Sequence, residues 1–244
     1  MEKQTYLFGI HPIMEAYAAG KEMDKVLIKK GLTGDHIKDL MEYIRQSGTP
    51  FQIVPIEKLN RITRKNHQGV IAFTALVSYS PIEEVVLRSF ENGETPLIIA
   101  LDGVSDVRNL GAIARSAEIA GAHAILVPEK GSAQINPEAM KSSAGALNII
   151  PISRTSNMAA TLKNLRNSGL KIFGASEKAG TTLFELSFTD PLVLVLGSED
   201  QGLSPAILRI CDELIKIPQK GKIASLNVSA AAAVMVFEVL RQRL

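Results

Sequence analysis

From residue 96 onward the chain carries a series of short apolar runs in which no polar residue alternates. They are LIIAL (97–101), AILV (124–127), LNIIPI (147–152), LKIFGA (170–175), LVLVLG (192–197) and LIKIP (214–218). A strand with one wet face alternates apolar and polar side chains, so unbroken runs must be covered on both faces. Helical stretches lie between them: NLGAIARSAEIAG (109–121), PEAMKSSAGA (137–146), NMAATLKNLRNSG (157–169) and SPAILRICDEL (204–214). Alternating buried strands and helices predict an α/β fold with a parallel sheet between helices. Ligands of such sheets bind beyond the strands' carboxyl ends. That rule points to the loops after residues 101, 127, 174, 197 and 217.

The N-terminal part reads differently. HPIMEAYAAG (11–20) and GDHIKDLMEYIRQSG (34–48) are helical, the second with Ile37, Leu40, Met41 and Ile44 on one face. KVLIKK (25–30), FQIVP (51–55) and GVIAFTALV (69–77) read as strands. Residues 1–77 are therefore expected to form a small α/β unit and residues 96–244 the larger one. Residues 78–95 are expected to be a linker with a short helix started by Ser80, Pro81 and Glu83.

Composition narrows the function. Of 244 residues, 46% are hydrophobic, which supports a core, but no apolar run is long enough for a membrane span. The first residues lack the long apolar stretch of a secretory signal. The single cysteine, Cys211, sits among Leu208, Ile210 and Leu214 and is expected to be a buried thiol in a reducing cytoplasm. Net charge is +2, with 11 basic against 8 acidic residues over 1–80, a weak lean of any polyanion toward the N-terminal unit. Neither unit's first strand is followed by a G-x-G-x-x-G turn. Gly221-Lys222 lacks the upstream glycine of a P-loop, and no G-x-S-x-G elbow occurs. The histidines, at 11, 36, 67 and 123, show no metal-ligand spacing, so no metal is expected.

Loops at expected strand ends carry more than a connection needs. In LDGVSDVRNLGAIARSAEIAGA (101–122), Asn109 reads as a helix cap. Arg115, mid-helix among small and apolar residues, reads equally as a functional or a solvated side chain. In LVLVLGSEDQGLSP (192–205), Glu199 and Asp200 follow the strand, between Gly197 and Gly202, which would let backbone amides approach a ligand. In IPQKGKIASLNVSAAAAVMVFE (217–238), Asn227 or Ser229 would cap a helix whose small residues 230–233 permit close packing.

Together these loops resemble the signature motifs of the SpoU-type (TrmH-like) RNA ribose 2′-O-methyltransferases of the SPOUT superfamily. Asn109, Gly111 and Arg115 match the first motif. Gly197, Glu199, Gly202 and Leu203 match the second, and Ile217, Pro218 and Ser225–Ser229 the third. YLFGIHPIMEAY (6–17) and NHQGVIAF (66–73) are similar to the ends of the family's L30e/L7Ae-like RNA-binding domain. DGVSDVRNLGAIARSAE, VPEKGSAQINPEAMK and CDELIKIP are most similar to the branch that methylates a guanosine ribose of bacterial 23S rRNA. The chain departs from many relatives at Val107, Asp200 and Ala231–Ala233, none of which removes a polar group the chemistry needs.

The resemblance implies a deep C-terminal trefoil knot and S-adenosylmethionine (AdoMet) as cofactor, held by Gly197, Ile217, Leu226 and the loop near Ala175. It implies a catalytic group of Asn109, Arg115, Glu199, Ser225 and Asn227. Family practice gives Arg115 the proton-removal step, but a guanidinium that stays protonated is better suited to clamp phosphate or the developing alkoxide. Glu199, Ser225 and Asn227 would fix that arginine and the ribose. Arg61, Arg64, Lys65 and His67 would meet RNA phosphates. The implied partners are RNA, 23S rRNA or the assembling large ribosomal subunit, and a second copy of the chain. A tRNA ribose enzyme, a resistance-type rRNA enzyme and a non-catalytic assembly factor are the alternatives.

Overall fold

The computed structural model describes residues 6–223 and 225–244. The chain divides between Ser78 and Tyr79 into two compact units. In the first, strands β1 (Tyr6–Phe8), β2 (Met23–Lys29), β3 (Phe51–Val54) and β4 (Val70–Thr74) form a sheet in the order β1-β4-β2-β3. β4 runs antiparallel to both β1 and β2, while β2 and β3 are parallel. Side chains of a strand point alternately to opposite faces. Val26 and Ile28 accordingly pack with Ile13 of helix α1 (Ile10–Ala18) and with Ile37, Leu40 and Ile44 of α2 (Asp35–Gln46). Leu27 and Ile71 pack with Leu59 of α3 (Ile56–Ile62) on the other face. No periodic pattern announces α3, because Leu59 is its one fully buried side chain.

The second unit holds seven strands, β5 (Leu97–Asp102), β6 (Ala124–Pro128), β7 (Ile152–Thr155), β8 (Lys171–Ala175), β9 (Thr181–Thr182), β10 (Leu192–Gly197) and β11 (Glu213–Lys216). Their order is β7-β6-β5-β10-β8-β11-β9 and every pairing is parallel. Helices α4 (Ile82–Glu91), α7 (Met158–Asn167) and α8 (Pro205–Leu208) cover one face through Val85, Leu162, Leu165 and Ile207. Helices α5 (Val107–Ile119) and α9 (Val228–Arg243) pack beside each other, and α5 also packs on α6 (Pro137–Ser142). All six residues of LVLVLG are buried, as unbroken apolar runs require.

Some boundaries differ from expectation, each for a local reason. LNIIPI is not a strand until Ile152. Pro151 has no N–H to give a ladder, and residues 146–148 instead form a 3₁₀ turn after Ala144 and Gly145, both at positive φ. The helix of 204–214 stops at Leu208, because Asp212 N–H bonds the Ile172 carbonyl and its Oδ2 accepts from Ile172 N–H, drawing the chain into β11. Ser80 does not cap α4. Its N–H and carbonyl are bonded to Ile152 and Ser153, and Pro81 is the N-cap residue, with no side-chain bond. The stretch read as a linker does hold a helix, and that helix is part of the second unit's core.

The C-terminal turn is tied down by contacts that no local pattern shows. Arg243 donates to the carbonyls of Thr95, Phe188 and Asp190 at 2.7–3.0 Å. Gln242 bonds both Phe188 N–H and the Leu186 carbonyl. Hydrogen bonds from Arg241 and Gln242 hold the Glu238 carboxyl down at about 2, against an ordinary value of 4.5. A depressed carboxylate stabilises the fold above its unfolded value and loses that contribution as pH falls through the folded one. Between pH 4.5 and 2 the wild-type chain should therefore lose more stability than Glu238→Gln. Chemical denaturation across that range checks it, and parallel curves would refute it.

Candidate active site

Helix α5 begins at the carboxyl end of β5, and its cap is Asp106, not Asn109: Asp106 Oδ1 accepts from Arg108 N–H at 2.7 Å. Asn109 lies in the first turn with its amide free for other partners. Asn109 Nδ2 donates to Glu199 Oε1 at 2.6 Å, across 90 residues of sequence. Asn227 Nδ2 donates to Asn109 Oδ1 at 3.1 Å, across 118. Asn227 is also the cap of α9. Its Oδ1 accepts from Ser229 N–H at 2.9 Å, Ser229 Oγ–H at 2.6 Å and Ala230 N–H at 3.4 Å.

These bonds have a direction. The start of α9 offers only donors to Asn227 Oδ1, so Asn227 turns its NH₂ to Asn109, and Asn109 in turn presents its own NH₂ to Glu199. Glu199 is therefore held as an acceptor through Oε1.

Glu199 stands in a tight turn closed by Ser198 and Gly202, whose backbone groups bond each other at 3.1 and 2.9 Å. Gly197, at the end of β10, is needed for steric reasons. A Cβ there would lie 2.1 Å from Gly202 carbonyl carbon and 2.3 Å from Leu203 N. Its bare side is thus taken up by the returning chain rather than left for a ligand. Gly202 has φ +67° with open space around it. Below the turn, Asp102 Oδ2 accepts from Ser204 N–H at 2.6 Å and joins the end of β5 to the start of α8. In α5, a Cβ on Gly111 would meet the Ala139 carbonyl oxygen and Ser142 Cβ, both at 2.6 Å, so α6 rests directly on the helix backbone.

A cavity of about 480 Å³ opens at the carboxyl ends of β8, β10 and β11. Ala175, Gly197, Ile217 and Leu226 all line it, as do Glu199, Ser225 and Asn227. Leu196, Leu208, Ile215 and Met235 supply apolar wall; Glu177, Lys178, Asp200 and Lys216 supply charge. Leu208 and Met235 carried no expectation, though Met235 lies one helical turn beyond Ala231 and seven residues beyond Val228, on the same stripe of α9. Asn109 reaches Glu199 and Asn227 from outside the cavity wall.

Arg115 is not part of this cluster. It is exposed, and among the described residues it makes no hydrogen bond or ion pair. Six residues beyond Asn109, it sits about 9 Å along the helix and about 120° around it. It shares the stripe of Gly111, the side that meets α6. The expected bonds from Glu199 and Asn227 to this arginine are made to Asn109 instead. The half-buried Cys211 thiol is pushed up to about 11 by burial, with Asp212 adding to the rise, so it stays protonated at neutral pH.

In the first unit, Arg61 is in the last turn of α3, while Arg64 and Lys65 are exposed in the loop that follows. His67 does not belong with them. It is 6% exposed, its Nδ1 accepts from Gly69 N–H at 3.0 Å, and its Nε2 bonds Asn60 Oδ1 at 3.0 Å. Both ring nitrogens are committed to holding the loop, so His67 is a structural residue and not a phosphate contact.

The SpoU rRNA methylase family matches residues 96–237, and the substrate-binding domain of RNA 2′-O ribose methyltransferases matches residues 6–80. The chain belongs to the SpoU rRNA methylase family. A Bacillus subtilis protein assigned to the TrmH family of tRNA/rRNA methyltransferases is 31% identical over 99% of this chain and 97% of its own length. One from Staphylococcus epidermidis is 33% identical over 97% and 95%. Among solved structures, the SpoU methyltransferase AviRb of Streptomyces viridochromogenes in complex with AdoMet superposes with TM-score 0.62 at 26% identity, covering 98% of this chain and 90% of that one. An AdoMet-bound rRNA methyltransferase of Sinorhizobium meliloti superposes with TM-score 0.63 at 25% identity, over 98% and 87%. In this SpoU chain all three signature motifs meet through the Asn109–Glu199 and Asn109–Asn227 bonds.

Proposed function

We propose that this SpoU methylase transfers a methyl group from AdoMet to a ribose 2′-hydroxyl of RNA, and that its target is a guanosine of 23S rRNA. The bonded set Glu199–Asn109–Asn227 at the rim of the strand-end cavity carries the reading. The cavity suits the cofactor. Its volume lies in the range of small-molecule sites, its walls mix apolar side chains with strand-end backbone, and the acids Glu177, Glu199 and Asp200 outnumber the lysines Lys178 and Lys216 on its lining, which leans toward a cation. Gly197, Ile217, Leu226 and Ala175 would hold AdoMet there. When bound, AdoMet supplies an electrophilic methyl.

The remaining work falls to the chain's own residues. Glu199 has one carboxylate oxygen held by Asn109, which leaves the other to accept the ribose hydroxyl. Ser225 and Asn227 border the same space and would orient the sugar, and positioning of this kind supplies much of the rate of a group transfer. Arg115 lies around α5 from the cavity in its own chain, so we assign it as a clamp on RNA in a homodimer, where a second copy supplies what one chain leaves apart. Val234 and Phe237 of α9 and Ile119 of α5 are among the exposed apolar residues that such a contact could cover. The same reading carries the C-terminal knot and a cytoplasmic location. Among the described residues no helix is long and apolar enough to cross a membrane.

Arg115→Ala should lower methyl transfer by roughly 100-fold or more while AdoMet binding is retained. Labelled-methyl transfer to total rRNA and tRNA, with mapping of the modified nucleotide and calorimetry with AdoMet, checks both parts. Near-normal turnover would remove Arg115 from the site. Methylation confined to tRNA would favour the second reading, a tRNA ribose enzyme, which the tRNA/rRNA description of the relatives keeps in view.

A further inference from the structure

The first unit carries a pair of histidines that the methyl-transfer chemistry leaves unused. His11 opens α1 and His36 opens α2, and their rings meet edge to face with centroids 4.8 Å apart at an interplanar angle of 64°. Both residues are exposed. The chain's other two histidines are structural: His67 and His123 each engage both ring nitrogens. His11 and His36 have no hydrogen-bond partner among the described residues. An aromatic pair that neither fills the core nor anchors a loop is available to something outside the chain.

The surroundings say what that is. The chain leaves β1 and β2 and enters β4 at one end of the sheet, so residues 9–12, 29–36 and 63–69 converge there. Gln68 Oε1 accepts from Ile10 N–H at 3.0 Å and Lys29 N–H bonds the Gly69 carbonyl at 2.8 Å. Exposed Lys29, Lys30, Arg64 and Lys65 lie on these segments, and the Lys65 ammonium stands 5.8 Å from the centre of the Phe8 ring. Asp35, the acid beside His36, is paired with Lys38 at 2.9 Å. Cations on segments that converge with an exposed aromatic pair match the two halves of a nucleotide, phosphate and base.

We propose that His11 and His36 form a stacking notch for an unpaired nucleotide of the RNA substrate, with Arg64 and Lys65 on the adjoining phosphates. This rests on the proposed action of the chain on RNA. One imidazole offers its face to the base; the other offers ring nitrogens to the base edge. A base inside a duplex is already stacked and cannot enter, so the partner is a loop, bulge or end. A metal ion is the weaker occupant, because the described residues bring no third ligand to the pair.

The test uses the full chain and two synthetic RNAs of equal length, a hairpin with an unpaired loop and a closed duplex, with affinity read by fluorescence anisotropy in EDTA. The double variant His11→Ala/His36→Ala should bind the hairpin about tenfold more weakly, with the duplex and the salt slope nearly unchanged. His11→Phe/His36→Phe, which keeps the stacking face but loses the ring nitrogens, should recover part of the loss. Arg64→Ala/Lys65→Ala should weaken both RNAs and flatten the salt dependence. Unchanged hairpin affinity in the alanine pair, equal loss on both RNAs, or no recovery with phenylalanine would each overturn the notch. AdoMet binding by the second unit serves as the folding control. A wild-type chain that discriminates the two RNAs but methylates neither of them, nor total RNA, would defeat the catalytic reading and leave the notch standing. Normal methylation with unchanged affinity in the alanine pair would do the reverse.

Discussion

Gly197→Ala should abolish cofactor binding and turnover together and cost the second unit roughly 4 kcal/mol or more, in the class of overpacked core substitutions. The added carbon would fall 2.1 Å from Gly202 carbonyl carbon and 2.3 Å from Leu203 N, and no rotamer change can relieve a clash with backbone. Either β10 moves, breaking its registered pairs with β5 and β8, or the Ser198–Gly202 turn opens and carries Glu199 away from Asn109. Gly202→Ala is the control. It has the unfavourable φ of +67° but nothing within 4 Å of a new Cβ, so it should cost only about 1–2 kcal/mol. Denaturant melts and calorimetry with AdoMet separate the two. Equal losses from both substitutions would mean that the approach of the returning chain at residue 197 costs no more than the unfavourable backbone angle at residue 202.

Asn227→Asp should reduce methyl transfer by roughly 100-fold while leaving thermal stability near that of the wild type. Aspartate caps a helix as well as asparagine does, so Ser229 and Ala230 keep their acceptor. The lost group is the Nδ2 donor. A carboxylate would then face Asn109 Oδ1, and if the Asn109 amide turned to satisfy it, an oxygen would point at Glu199. Each arrangement sets acceptor against acceptor at one link of the chain. Asn227→Ala should add a stability loss of about 1 kcal/mol, because the cap goes as well. Turnover at saturating AdoMet, measured beside the melting temperature, tells the effects apart. If the aspartate variant turns over normally, the direction of the Asn227–Asn109–Glu199 bonds has no catalytic weight.

What could be read from the residues alone followed the physics of burial. LVLVLG and AILV were legible as central strands because a strand covered on both faces has no reason to carry polar residues, and Ile37, Leu40 and Ile44 marked α2 by their spacing. The place of the cavity followed from the strand-end rule, and the shared motifs supplied the residues that line it. Partnerships set by tertiary distance were not legible. Asn109 looked like a helix cap because its type and position suit one, yet Asp106 takes that role and frees Asn109 for Glu199, 90 residues away. His67 looked basic and exposed beside Arg64 and Lys65, and only the fold shows Asn60 and the Gly69 amide enclosing it. Pattern gave no hint of the Arg243 contacts with Thr95 and Asp190, since a long cation near a helix end is usually solvated.

Gly111 sits between Asn109 and Arg115 in a motif usually taken as a chemical signature, but its own part is architectural. Because α6 rests on the bare backbone there, the glycine sets how near that segment comes to the stripe on which Arg115 stands. A larger residue at this position would force α6 to retreat or tilt, altering the arginine's footing with every polar group unchanged. The position is thus a mechanical adjustment screw on the arginine, open to evolution and to engineering without any change in the reacting groups.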